Sequence, residues 1–307
     1  VVSELLESPD GLRLGGEKRK VTMLMSDLRG FSAIAERLEP EQVVRVINNY
    51  LGTMADVVLA WDGTIDEFIG DSVLGFFGAP VAREDDARRA VACALDMQKG
   101  MERVNDRNLD EGLPAVEMGI AVHTGDVVVG NIGSEKRAKY GAVGSHVNLT
   151  ARIESYTCGG QVLISERTLR SAGPGVVTGG SLAVRAKGFP EPVRVHDLIG
   201  LEEVPALQLE RRSETLWPVD PPLKAVFTVL EGKRVGRDEE PAEIVALSPR
   251  GAALRCAAEV DPLSDLKLRV VGPRGLLPGD VYAKAMPRPD GAPGLLRVRF
   301  TSVPSEL

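Results

Sequence analysis

A chain of 307 residues is longer than the roughly 100 to 200 that one domain takes, so a single small module is excluded and two domains are expected. Hydrophobic residues make up 43%, which excludes global disorder, whereas aromatics are only 4%, so the cores must rest on Val, Leu, Ile and Ala. A formal charge of -7 argues against a nucleic-acid binder, and no apolar run reaches the roughly 18 residues of a membrane span. Cys93, Cys158 and Cys256 lie too far apart for a zinc spacing or a disulfide framework, the usage of a reduced, cytoplasmic chain. Val1 to Asp10 lacks the basic start and apolar middle of a signal peptide, and the Val-Val start reads as that of an internal fragment.

Lys20 to Asp27 reads as a strand that runs into the polar turn Leu28 to Ser32. Pro40 opens a helix whose apolar face holds Val43, Val46, Ile47, Tyr50, Leu51, Met54, Val57 and Val58. Ile65 to Phe77 forms two strands around the tight turn Gly70-Asp71, Glu84 to Val104 is helical by period, and Val116 to His123 alternates as a half-buried strand. The order strand, helix, hairpin, helix, strand resembles a ferredoxin-like α+β sheet with its helices on one face. Thr124 to Tyr140 is Gly-rich and charged, Val147 to Tyr156 forms a short helix, and further strands are expected at 161–164, 181–186 and 193–198. The first domain is therefore placed at 15–200 and a Pro-rich linker at 201–222. A small all-β barrel fills 223–307, with strands at 225–230, 242–247, 252–256, 266–271, 281–286 and 295–300.

Asp27 at a strand end and Asp71 in a hairpin turn are the strongest chemical signal. If their strands are neighbours, two carboxylates converge, and hard cations such as Mg2+ or Mn2+ prefer such oxygen donors together with phosphates. Taken alone, Asp71 beside Gly70 is an ordinary turn former. Four separated motifs set the pair in context: Asp27-Leu28-Arg29-Gly30-Phe31-Ser32, Phe68-Ile69-Gly70-Asp71-Ser72-Val73, His123 to Gly133, and Val147-Asn148-Leu149-Thr150-Ala151-Arg152-Ile153-Glu154. Together they resemble the class III nucleotidyl cyclases, the adenylyl and guanylyl cyclase catalytic domain.

That resemblance implies cyclisation of a nucleoside triphosphate by in-line attack of its 3'-hydroxyl on the alpha phosphorus, with two Mg2+ or Mn2+ per active site held by Asp27 and Asp71. It assigns phosphate binding to the turn Leu28, Arg29, Gly30, Phe31 and Ser32 and to the cations Arg137 and Lys187. Asn148 and Arg152 become the transition-state pair, and their i, i+4 spacing puts them on one helix face. It further implies a head-to-tail homodimer with both sites at the interface, so that a lone monomer is inactive. His123, His146 and His196 are not spaced as metal ligands and are given structural roles.

Two positions bear on which purine is read. Adenylyl cyclases carry Lys four residues before the second metal Asp and Asp or Thr seven residues before the transition-state Asn; here these are Glu67 and Gly141. A carboxylate accepts hydrogen bonds from guanine N1–H and its 2-amino group but opposes the N1 lone pair of adenine. Such pairing discriminates by up to about 10^4, so Glu67 favours GTP over ATP, while Gly141 removes an adenine reader without adding a guanine one. The expected activity is that of a guanylyl cyclase. The alternatives are an adenylyl cyclase and a catalytically silent nucleotide sensor, the latter disfavoured because Asp27, Asp71, Asn148 and Arg152 are all present.

Lys233, Arg234 and Arg237, followed by Ser248 and Gly251 ahead of barrel strands, resemble the PilZ domain, a receptor for cyclic di-GMP. Lys233 stands where that family has the first arginine of its Arg-x-x-x-Arg motif, and Ala246 replaces an acid or amide. The implied ligand is cyclic di-GMP, with a plain dimerisation or contact barrel as the alternative.

Overall fold

The computed structural model describes residues 14–134, 136–186, 188–210, 215–231, 234–235, 239–272, 275–287 and 294–304. They separate into two units, the first ending near residue 211.

The first unit is an α+β sheet in the strand order β2-β3-β1-β4-β6-β8-β7, with β5 paired to β4. Its strands are β1 (Gly15–Arg29), β2 (Thr64–Ile69), β3 (Ser72–Phe77), β4 (Glu117–Ser134), β5 (Arg137–Val143), β6 (Val162–Ser165), β7 (Val176–Val184) and β8 (Val193–Leu201). The helices are α1 (Phe31–Ala35), α2 (Pro40–Ala60), α3 (Asp86–Asp110), α4 (Ser145–Ser155) and α5 (Glu166–Ala172). Pro40 supplies a preset φ at the start of α2, and the Glu39 N–H donates to Gln42 Oε1 at 3.1 Å.

Side chains alternate across β1, so its two faces meet different partners. Ser26 Oγ bonds Tyr50 Oη of α2 at 2.8 Å, and Thr22 meets Thr124, which in turn bonds Thr168 of α5. Val21 and Met23 point the other way into a cluster with Phe76, Val127, Val129 and Ala142, against which Val147 of α4 packs. The expectation that all helices share one face is thus corrected: α4 lies opposite α2 and α5. Asp27 and Arg29 continue the odd-numbered set and so lie on the α4 side.

The expected strands at 20–27 and 116–123 are too short, because β1 and β4 pair from Gly15↔Asn131 to Arg29↔Glu117. Buried Val127 and Val129 carry the period-2 pattern through the Gly-rich stretch. Glycine is needed there because a Cβ on Gly130 would collide with the Gly15 carbonyl, and one on Gly125 with the His146 ring. The strand expected at 181–186 lies at Val176–Val184, and α5 was not anticipated.

The linker is also shorter than 201–222. Leu209 N–H donates to Ile199 O at 2.7 Å and Leu207 is buried, so the first unit runs past residue 200. At the other end Pro218, Pro221 and Pro222 lie within β9 (Trp217–Glu231). Among the described residues that part of β9 pairs only with β11, while β13 joins from Ala225 onward, so a missing proline N–H costs no bond to a second neighbour there.

The second unit is all-β: β9, β10 (Arg234–Val235), β11 (Glu240–Ser248), β12 (Gly251–Arg255), β13 (Asp265–Gly272), β14 (Gly275–Leu276), β15 (Val281–Ala285) and β16 (Leu295–Ser302). The order β9-β11-β12-β16-β15-β13, closed by β9–β13 pairing, makes a six-stranded barrel. Phe227, Leu254, Leu266, Leu268, Leu296 and Val298 fill its core.

Candidate active site at the β1–β3 edge

Asp27 pairs in register with Ser72, the residue that follows Asp71, so neighbouring strands bring the two carboxylates together as the motif reading required. Gly70, at φ +64°, supplies the left-handed turn that places Asp71 there. Ser72 Oγ donates to Asp27 Oδ1 at 2.6 Å, and Arg29 Nη2 donates to Asp27 Oδ2 at 2.8 Å. The same guanidinium also pairs with Glu154 of α4, and its Nε is buried with no hydrogen-bond partner among the described residues.

Burial and the nearby Asp27 charge push the Asp71 carboxyl up to about 6 from an ordinary 3.8, although the Leu28 N–H bonds it and lowers it. Two carboxylates that repel each other in a partly desolvated corner suit a hard divalent cation. No group of three or more His, Cys, Asp or Glu side chains assembles among the described residues, so Asp27 and Asp71 are the carboxylates that such an ion would find here. Mg2+ is commonly bound in this way, with substrate phosphates completing its shell.

The strand β1 extends two residues beyond its expected end, so Leu28 and Arg29 belong to a paired strand and Leu28 is buried. Gly30 alone forms the turn, and Phe31 and Ser32 are the first residues of α1. The Arg29 side chain is committed to Asp27 and Glu154. Arg137 is exposed at the start of β5, and Lys187 lies outside the described residues.

Asn148 and Arg152 sit on one side of α4, whose other side buries Leu149, Thr150, Ile153 and Glu154. Asn148 is exposed and Arg152 half-buried, and neither side chain makes a hydrogen bond or ion pair among the described residues. Beneath the start of α4, His123 Nδ1 meets Ser165 Oγ and His123 Nε2 meets His146 Nδ1, both at 2.8 Å. Burial and the neighbouring His146 and Arg167 push His123 down to about 3, which favours its neutral form.

Glu67 and Gly141 are brought to one edge, where β2 meets β5. A Cβ added to Gly141 would lie 2.6 Å from Asp66 Oδ1, and the Ala142 N–H donates to Asp66 Oδ2 at 3.1 Å. Lys139 Nζ bridges Asp66 Oδ1 and Glu67 Oε2, each at 2.8 Å. Asp66 and Lys139 were not anticipated from sequence; the signal that finds them is a β-bulge, which periodicity cannot show.

Ser248 ends β11, its Oγ donating to Gly251 O at 3.1 Å across the turn into β12. Arg234 lies in β10, while Lys233 and Arg237 fall outside the described residues. No helix of the described residues is long and apolar enough to cross a membrane.

The family model described as Adenylate and Guanylate cyclase catalytic domain matches residues 16–191. Adenylate cyclase 1 of Rhizobium meliloti (strain 1021) is 33% identical over 186 residues, 60% of this chain but 28% of that protein, so the chain spans under a third of this relative. The crystal structure of the guanylyl cyclase Cya2 aligns with TM-score 0.63 and 53% identity over 64% of this chain and 100% of its own. That of the adenylyl cyclase CyaB from P. aeruginosa aligns with TM-score 0.59 and 33% identity over 65% and 98%.

Proposed function

Because the chain belongs to the adenylate and guanylate cyclase catalytic domain family, we propose that it is a guanylyl cyclase, converting GTP to 3',5'-cyclic GMP and pyrophosphate. The observation that carries the choice of purine is Glu67, a carboxylate on the β2 edge where adenine readers have lysine. The alignment with a solved guanylyl cyclase supports the same reading.

Asp27 and Asp71 would hold two divalent ions, Mg2+ or Mn2+, which when bound supply Lewis acidity to the ribose 3'-hydroxyl and the phosphates. Arg29 and Ser72 fix the orientation of Asp27, so that carboxylate is set before substrate arrives. Gly30, Phe31 and Ser32 present backbone N–H groups to the beta and gamma phosphates, with Arg137 and Lys187 as further phosphate cations. Arg152 neutralises charge that grows on the alpha phosphoryl oxygens, and Asn148 orients the ribose.

The working unit in this reading is a head-to-tail homodimer, each chain lending Asn148 and Arg152 to the other's Asp27 and Asp71. The support is that both side chains are left without partners within their own chain among the described residues. On the motif resemblance, we further propose that the barrel is PilZ-like and takes cyclic di-GMP through Lys233, Arg234, Arg237 and the Ser248–Gly251 turn.

Turnover of GTP and ATP in parallel, with identification of the cyclic product, tests the assignment. Cyclic AMP as the main product would overturn it, and an active Asp27→Asn variant would overturn the metal assignment. Cyclic di-GMP that binds but leaves the cyclase rate unchanged at saturation would remove regulation through the barrel.

A further inference from the structure

We infer that Lys139 is a second base-reading residue, its ammonium donating to guanine O6 while Glu67 accepts from N1–H and the 2-amino group. The inference rests on the guanylyl reading above and names the group that completes it.

The starting point is local geometry. Successive side chains of a regular strand point to opposite faces, so Asp66 and Glu67 should not share a partner. They do, because β2 carries a bulge between Ile65 and Glu67: Ile65 opposes Gly75, Glu67 opposes Leu74, and Asp66 is the extra residue. The bulge turns Asp66 toward β5, where its carboxylate is almost fully buried and held by the Ala142 N–H. Lys139 then spans both acids. Burial alone lowers the Lys139 pKa, but its bonds to Asp66 and Glu67 outweigh that and raise it.

Position 141, the expected site of a second base contact, is closed to any side chain because Asp66 Oδ1 stands 2.6 Å from where a Cβ would be. Lys139 is two residues earlier on the same strand and shares that face. An ammonium has three N–H donors, and even with one turned to each acid of its two ion pairs a third remains. The third is available to a base seated against Glu67.

Guanine presents along its Watson–Crick edge an acceptor at O6 and donors at N1 and the 2-amino group. A cation beside a carboxylate reproduces the complement in that order. Adenine inverts both adjacent positions: its 6-amino group would face the ammonium and its N1 lone pair would face Glu67. Two mismatches replace one, which answers why a glycine at 141 does not leave the purine half-read.

The test compares kcat/KM for GTP, 6-thio-GTP, ITP and ATP in the wild-type chain and in Lys139→Met and Lys139→Arg. In wild type, GTP is expected to exceed 6-thio-GTP, whose sulfur is a poor acceptor. Lys139→Met should lose about 10- to 100-fold on GTP, mainly through KM, the range for one hydrogen bond to a charged group. It should also bring the GTP to 6-thio-GTP ratio close to one while the GTP to ITP ratio, which reports the 2-amino contact of Glu67, stays put. Lys139→Arg should restore most of the GTP preference. These ratios do not depend on how much of a variant folds. A GTP to 6-thio-GTP ratio in Lys139→Met equal to that of wild type overturns the role of Lys139 and leaves the guanylyl reading intact. A wild-type preference for ATP overturns both.

Discussion

Gly141→Ala is a one-carbon change whose cost can be worked from the β2–β5 contact. The new Cβ would stand 2.6 Å from Asp66 Oδ1, well inside contact distance, and Asp66 sits on a bulge pinned by Ala142 and Lys139. The carboxylate must retreat and lose at least one bond to a charged or backbone donor, worth about 1.5 to 3 kcal/mol. For a unit of this size each kcal/mol moves Tm by about 2 to 4 °C, so a fall of about 3 to 12 °C is expected. Trp61 belongs to the first unit and Trp217 to the barrel, so thermal unfolding followed by fluorescence in a Trp217→Phe background reports the first unit alone. Asp66→Ala removes the obstruction, so Gly141→Ala should cost little on top of it, a coupling read from the double-mutant cycle. A change under about 0.5 kcal/mol in the single variant, or an unchanged cost in the Asp66→Ala background, refutes the claim that Asp66 is what demands glycine.

Three further outcomes are expected. The Asp71 carboxyl, raised from 3.8 to about 6 in the fold, contributes stability that is full below about 3.8 and lost as pH rises through 6. At about 1.4 kcal/mol per pH unit that is about 3 kcal/mol, reduced by solvent screening of a partly exposed group to about 1 to 1.5 kcal/mol. Without divalent ion, Tm should therefore fall between about pH 4 and 7, and saturating Mn2+ should remove the fall; a fall that persists in Asp71→Asn would count against this origin. Mixing the separately inactive Asp71→Asn and Arg152→Ala chains should restore about a quarter of wild-type activity, because half the dimers are mixed and each has one intact site. No recovery would argue against shared sites. Ser165→Ala removes the partner of His123 and the cap of the Thr168 N–H, and a loss of about 1 to 3 kcal/mol is expected by chemical denaturation. A neutral effect would mean that the network is dispensable.

What the sequence made legible follows from which interactions are periodic. Asp27 and Asp71 could be paired on paper because a short hairpin fixes its own register and the Gly70-Asp71 turn marks its tip. Asn148 and Arg152 could be placed on one helical face for the same reason. The reach of β1 and β4 was underestimated because glycines at 125 and 130, required by close neighbours, interrupt an alternation that Val127 and Val129 resume. Pro218, Pro221 and Pro222 read as a linker because a strand with one paired neighbour along that stretch cannot be told from a connector by composition. Asp66 and Lys139 carry no such signal: a bulge shifts the period by one residue, and alternation cannot show where it falls.

Arg29 holds Asp27 with one hand and Glu154 with the other, and Glu154 belongs to the helix that carries Asn148 and Arg152. In the proposed assembly that helix serves the neighbouring chain's catalytic centre. A cation arriving beside Asp27 would compete with the guanidinium for that carboxylate, and any slackening would be felt two residues from Arg152. Crosstalk between twin centres would then need neither a moving loop nor a rotating domain, only a shared arginine. Its signature would be a Hill coefficient for metal or substrate that departs from one and returns to one in Glu154→Gln.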